Sequence, residues 1–135
     1  MKKMLAVTAA VAFAFTAAAA APVLAQKKHT PKAVWKGMLQ NLDDVKAMVS
    51  ALTVFDMERL ASIADQFAAR EERFSKNPRF PDAVKKYYGD LASVIKEVGA
   101  AARAGEEARV SEKIGGVLQV CSGCHYNVRD AAARK

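Results

Sequence analysis

Three features of the 135-residue sequence predict an all-α fold, an antiparallel up-down-up-down four-helix bundle. Apolar residues recur at spacings of three and four along four successive segments, the period of an amphipathic helix. No run of β-branched residues alternates with period two, so no strands are expected. The chain has only seven Gly and four Pro, and Pro31, Pro78, Pro81 and Gly105 fall where helices should start or stop, which leaves short loops and antiparallel neighbours. The length holds one domain and is too small for a Rossmann or barrel enzyme. With 52% hydrophobic and 26% charged residues, the chain also has the composition of a folded protein rather than a disordered one.

Residues 1–25 read as an export signal. Met1-Lys2-Lys3 is a positive start, Met4 to Ala21 an alanine-rich apolar stretch, and Val23-Leu24-Ala25 a small-residue cleavage site. An uncleaved anchor is the alternative, because Met4 to Ala25 has the length to span a bilayer. Cleavage would leave residues 26–135 as one domain in the periplasm, with no membrane insertion, and thiols there are normally oxidised or covalently occupied. Without Lys2 and Lys3 that domain has 19 basic and 14 acidic groups, a net charge of +5.

The four helices follow in order. Thr30-Pro31 is an N-cap followed by proline in the first turn. Val34, Met38, Leu42, Val45, Val49 and Leu52 then form the stripe of a helix over about residues 31–50. Met57, Leu60, Ile63, Ala64 and Phe67 mark a second helix over about 54–74, ended by the two prolines of Pro78-Arg79-Phe80-Pro81. Asp82 is placed to cap a third helix, whose stripe of Val84, Tyr88, Leu91, Ile95, Val98 and Ala102 runs to Gly105. The fourth carries Val110, Ile114, Val117, Cys121, Cys124 and Val128. Gly115-Gly116 within it costs roughly 1 kcal/mol per glycine against alanine, which close approach of a cofactor or a neighbouring helix would explain.

The chemistry is concentrated in Cys121-Ser122-Gly123-Cys124-His125, a C-x-x-C-H sequence and the attachment signature of c-type haem. Two thiols one helical turn apart can add to the two vinyl groups of one porphyrin, while the imidazole of His125, four residues after Cys121, shares their face and reaches the iron. Three other readings stay open. A disulfide here would staple only a four-residue loop. A thioredoxin-like pair wants its first cysteine at a helix N-terminus after a strand. A zinc site needs a fourth ligand, and the other histidine is His29.

With its export signal, four helices and a single C-x-x-C-H near the C-terminus, the sequence resembles the class II c-type cytochromes, the cytochrome c-prime family with its low-spin, Met-ligated relatives. The resemblance covers most of residues 30–134. It includes Arg129, since the family commonly has Arg or Lys four residues after the haem histidine. The chain departs from the c-prime branch early in the first helix, where Trp35-Lys36-Gly37-Met38 stands in place of an Arg-Gln pair. The resemblance implies one covalent haem c on Cys121 and Cys124 and His125 as proximal iron ligand. It also implies Arg129 at a propionate or the proximal face, and one-electron transfer rather than enzymatic turnover.

The other axial position separates an electron carrier from a small-ligand binder. In an antiparallel bundle His125 lies about 12 Å before the end of its helix, and Met38 about 10 Å after the start of the first, so the two are level. Met48 is about 15 Å further along, and Met57 opens the second helix at the far end. Met38 is the candidate distal ligand, and in the Met-ligated relatives the sixth ligand likewise comes from the first helix. The rival is a five-coordinate, c-prime-like haem that binds nitric oxide or carbon monoxide beneath a Met38 that merely packs. The mildly basic surface suits redox partner proteins acidic at their docking face and is too diffuse for nucleic acid. A homodimer is the oligomer that c-prime relatives commonly form.

Overall fold

The computed structural model describes residues 32–133, with side chains over 36–127. Four helices account for almost all of it: α1 (Lys32–Thr53), α2 (Met57–Ser75), α3 (Asp82–Arg103) and α4 (Glu107–Ala133). Among the described residues there is no strand. The export signal expected at 1–25, and His29, lie outside the described residues.

Each helix stops for a local reason. α1 runs past residue 50 to Thr53 and closes with Phe55 N–H donating to the Leu52 carbonyl at 3.0 Å and Asp56 N–H to the Ala51 carbonyl at 2.9 Å. This pair of bonds is a Schellman closure, which needs its pivot residue in the left-handed region, and Phe55 is there with φ 56°. Asp56 then caps α2, its carboxylate accepting from the Arg59 N–H at 3.0 Å. α3 ends in the same closure built on a more suitable pivot. Gly105, at φ 70°, donates to the Ala102 carbonyl, and Glu106 to that of Ala101. The start of α3 differs from expectation. Pro81 takes the cap position, and Asp82, already the first helical residue, pairs with Lys85 at 2.6 Å instead of capping.

α2 and α3 pack most closely. Ala61, Ala64 and Ala68 of α2 and Ala92, Gly99 and Ala102 of α3 are buried, so small residues let the two backbones approach. At Gly99 the approach is tight: a Cβ there would lie 3.3 Å from both the Ala64 Cβ and an Asp65 carboxylate oxygen. Arg103 seals that region through two bonds to Asp65, at 3.0 and 2.9 Å. Leu60, Phe67, Leu91, Ile95 and Val98 continue the core into α4 through Val110, Ile114 and Val117. Gly116 lets α4 close on α3, since a Cβ there would meet Val94 at 3.2 Å, whereas Gly115 has nothing within 4 Å. A neighbouring helix thus accounts for one glycine of the pair.

The stripes expected on α2 and α3, and that on α4 as far as Cys124, coincide with buried or half-buried positions; the side chain of Val128 lies outside the described residues. That of α1 does not. Leu42 and Val49 are 49% and 42% exposed, while Gly37, Asn41, Met48 and Ala51 are buried. Small and polar residues make the contact with α2, and counting only apolar residues misplaces the inward face by a fraction of a turn. The apolar flank of Met38, Leu42, Val45, Val49 and Leu52 lies beside that face, opposite the polar flank of Lys36, Gln40 and Asp43. α1 packs on α2 and touches α4 only lightly.

Phe55 is 67% exposed, so its side chain contributes little burial to offset a left-handed backbone. Phe55→Gly is expected to stabilise the fold by about 0.5–1 kcal/mol. A thermal melt should rise by a few degrees, and a fall would show that the ring has a packing role.

Candidate cofactor-attachment site

Cys121 and Cys124 lie about four turns into an unbroken α4, far from its N-terminus. Both thiols are free and half-buried, and Cys121 packs against the hydrophobic core. His125 is exposed, one turn after Cys121. Burial pushes both thiols above the ordinary cysteine range; the negative charge of Glu71 adds to the effect at Cys121, and that of Cys121 at Cys124. The groups are therefore protonated at neutral pH, the opposite of what an attacking thiolate needs.

Residues from all four helices meet around this turn. A Cβ on Gly37, near the start of α1, would touch Phe74 at the end of α2 and the Tyr88 hydroxyl near the start of α3, each at 3.5 Å. Burial first, then the charges of Glu71 and Cys124, push the Tyr88 phenol up to about 12. Asn127 of α4 donates to the Tyr87 hydroxyl and, at 2.9 Å, to the Gly123 carbonyl of its own helix. Met38 follows Gly37 in the helix and is half-buried on the apolar flank of α1. Met48 is fully buried in the core further along, and Met57 is half-buried at the start of α2.

Beneath the turn is a polar group that the sequence reading missed. Glu71 of α2 has no exposed surface. It accepts from the Asn41 amide at 3.2 Å and from Arg70 Nε at 3.2 Å. Arg70 also bonds the Asn41 carbonyl oxygen at 2.9 Å, pairs with Asp44, and lies 4.8 Å over the Phe67 ring. Burial raises the Glu71 carboxyl to about 7 against the lowering effects of the Arg70 charge and the two hydrogen bonds, and the Asp44 charge assists the rise. The spacing Leu60, Ala64, Phe67, Glu71 already placed this acid on the inward face.

Arg129 and Trp35 lie within α4 and α1, with side chains outside the described residues. Tyr126 is 61% exposed. Two shallow surface depressions, one along Asp56, Arg59 and Ser62 of α2 and one between Lys36, Gln40 and Phe74, do not include the cysteine turn. Among the described residues no group of three or more His, Cys, Asp or Glu is gathered as a metal site, and no helix is long and apolar enough to cross a membrane. Comparison with protein-family models, curated proteins and solved structures finds no match to this chain.

Glu71 sets a pH dependence. Between its ordinary value of 4.5 and about 7, the folded chain keeps a proton that the unfolded chain has released. Stability from this group is thus full below about 4.5 and is lost as pH rises through about 7. Denaturant unfolding should show wild type losing up to about 3 kcal/mol over this window, with Glu71→Gln flattening the dependence. An unchanged slope in the variant would place the titration elsewhere.

Proposed function

We propose that this chain is an exported single-haem c-type cytochrome that carries one electron at a time. The observation that carries the reading is Cys121-Ser122-Gly123-Cys124-His125 on one continuous helix, its two thiols on the side of the core and its imidazole exposed one turn on. This donor set fits a covalently held haem better than its rivals. A dithiol enzyme is disfavoured because burial keeps the thiols protonated and no helix N-terminus lies beside them. Zinc would need more donors than the described residues gather.

Cys121 and Cys124 would anchor the macrocycle as thioethers, and His125 would bind iron from the same turn. Bound haem supplies a one-electron ferric–ferrous couple. Met38 is the proposed distal ligand. Its level relative to the cysteine turn, through Gly37, Tyr88 and Cys124, supports that role. The same meeting of helix starts and ends supports an up-down-up-down bundle. The half-exposed apolar side chains Leu42 and Val49 of α1 and Leu118 of α4 suit contact with a large flat apolar group where these helices touch only lightly. Export rests on the sequence of residues 1–25, and Arg129 is retained as a propionate or proximal contact.

The test is the optical and EPR spectrum, in both oxidation states, of protein purified from a host with haem-attachment machinery. A low-spin, six-coordinate signal that Met38→Ala converts to high-spin is expected. A high-spin signal in wild type that shifts with carbon monoxide would make Met38 a packing residue and gas binding the function. Protein without covalent haem would return the cysteines to thiol chemistry.

A further inference from the structure

Charge is distributed unevenly along the molecule. Most acidic side chains of the described residues are taken up in ion pairs: Asp65 with Arg103, Glu72 with Lys96, Asp90 with Lys86, Glu97 with Lys113 and Glu106 with Arg109. What is left over separates by end. Near the cysteine turn, Lys36, Arg73, Lys76 and Arg79 are exposed and have no ion-pair partner among the described residues; Glu72, on which the charge of Lys76 acts, is held by Lys96. At the opposite end the unpaired groups are Glu58, Glu107 and the capping Asp56, against one cation, Arg59. The molecule is therefore electrically polar, positive where the candidate cofactor site is.

The turn at the basic end is held by its own hydrogen bonds. Asn77 N–H donates to the Phe74 carbonyl at 3.1 Å, Phe80 N–H to the Asn77 carbonyl at 3.2 Å, and the Asn77 side chain accepts from Arg79 N–H at 3.0 Å. This fixes the turn between α2 and α3 that carries Arg73, Lys76 and Arg79. Directly behind it Phe80, Phe74 and Tyr88 pack ring on ring, with centroids 5.3 to 6.0 Å apart, and at the neighbouring Tyr87 the ring lies 3.8 Å from where a Cβ on Gly123, within the cysteine turn, would sit.

We propose that the turn bearing Arg73, Lys76 and Arg79 is the docking surface for an acidic redox protein, with Phe80, Phe74 and Tyr88 as the packed route from that surface to the cysteine turn. The inference rests on the electron-transfer reading above and assigns it a face and a partner chemistry. The field of the unpaired cations orients an approaching acidic protein toward this end, and the acids at the far end repel it there. Exposed charges of this kind act on encounter rate and salt dependence. In the docked pair a haem held by Cys121, Cys124 and His125 would supply one electron from its ferrous state and reduce the partner's oxidised centre by one, with no atom or proton exchanged.

The test uses isotope-labelled holoprotein titrated with poly-L-glutamate, and stopped-flow oxidation of the reduced holoprotein by hexacyanoferrate(III). Amide shifts should centre on residues 73–80 and Lys36, and the oxidation rate should fall steeply with added salt. The triple variant R73E/K76E/R79E should bind the polymer at least about tenfold more weakly and be oxidised about tenfold more slowly at low salt. The far-end variant Arg59→Glu should match wild type in both. Shifts centred elsewhere, or a triple variant that behaves as wild type in either measurement, would overturn the proposal. Tighter binding to phosphatidylglycerol vesicles than to poly-L-glutamate would overturn it in favour of a lipid surface. Absence of covalent haem would overturn the electron-transfer reading separately, because the amide map is obtained with or without it.

Discussion

The close approach of α2 and α3 is the constraint on which the other elements depend. Gly99 against Ala64 lets two backbones come together with only the Ala64 methyl between them, and the exposed Asp65–Arg103 pair lies beside that contact. α1 and α4 are attached to this spine from different sides: α1 to α2, and α4 to α3 through Gly116–Val94 and Asn127–Tyr87. They are held only lightly by each other. Candidate ligands on α1 and α4 are therefore positioned by the spine rather than by mutual contact. A large apolar cofactor between them would add the contact that the protein itself makes sparsely.

The two attachments differ in kind. α4 meets the core with Val110, Ile114 and Val117, all buried, so its hold is mainly apolar, with the Lys113–Glu97 pair and the Asn127–Tyr87 bond to α3 at its edge. α1 meets α2 through Gly37, Asn41, Asp44 and Met48, and much of that contact is the hydrogen-bonded group of Asn41, Arg70, Asp44 and Glu71. A fully buried carboxyl is costly to ionise, and Arg70 offsets only part of that cost because it also serves Asp44. Polar networks of this type specify one arrangement of the helices, since sliding α1 by a turn would leave several buried groups unpaired.

How much of this was legible in the sequence varied with what each helix buries. α2, α3 and α4 bury apolar or small residues at helical spacing, so their stripes were read correctly, down to Gly105 at the end of α3. α1 buries Gly37 and Asn41, which a hydrophobic count passes over, and its true face was missed while its neighbouring apolar flank was taken for it. Phe55 was also beyond a sequence rule, because left-handed pivots are expected at glycine. The motif at Cys121, Cys124 and His125 was legible because its chemistry is local to one turn. Glu71 and the unpaired cations at Arg73, Lys76 and Arg79 were not singled out. Their significance depends on which neighbours three-dimensional packing supplies or withholds.

These elements make the first turns of α1 the adjustable part of the candidate site. Met38 lies three residues before Asn41, on the same short piece of helix that the Glu71 network fastens to α2. Any change in the charge of Glu71 alters what holds Asn41 and Arg70, and the strain falls on α1 because the apolar attachments of α3 and α4 do not respond. The cysteine turn, in contrast, is fixed within α4 itself, where Cys121, Cys124 and His125 share one turn and Asn127 ties the following residues to Tyr87. The architecture thus sets α4, which carries the cysteine turn and is held mainly by apolar contacts, against an α1 whose seating depends on one buried carboxyl.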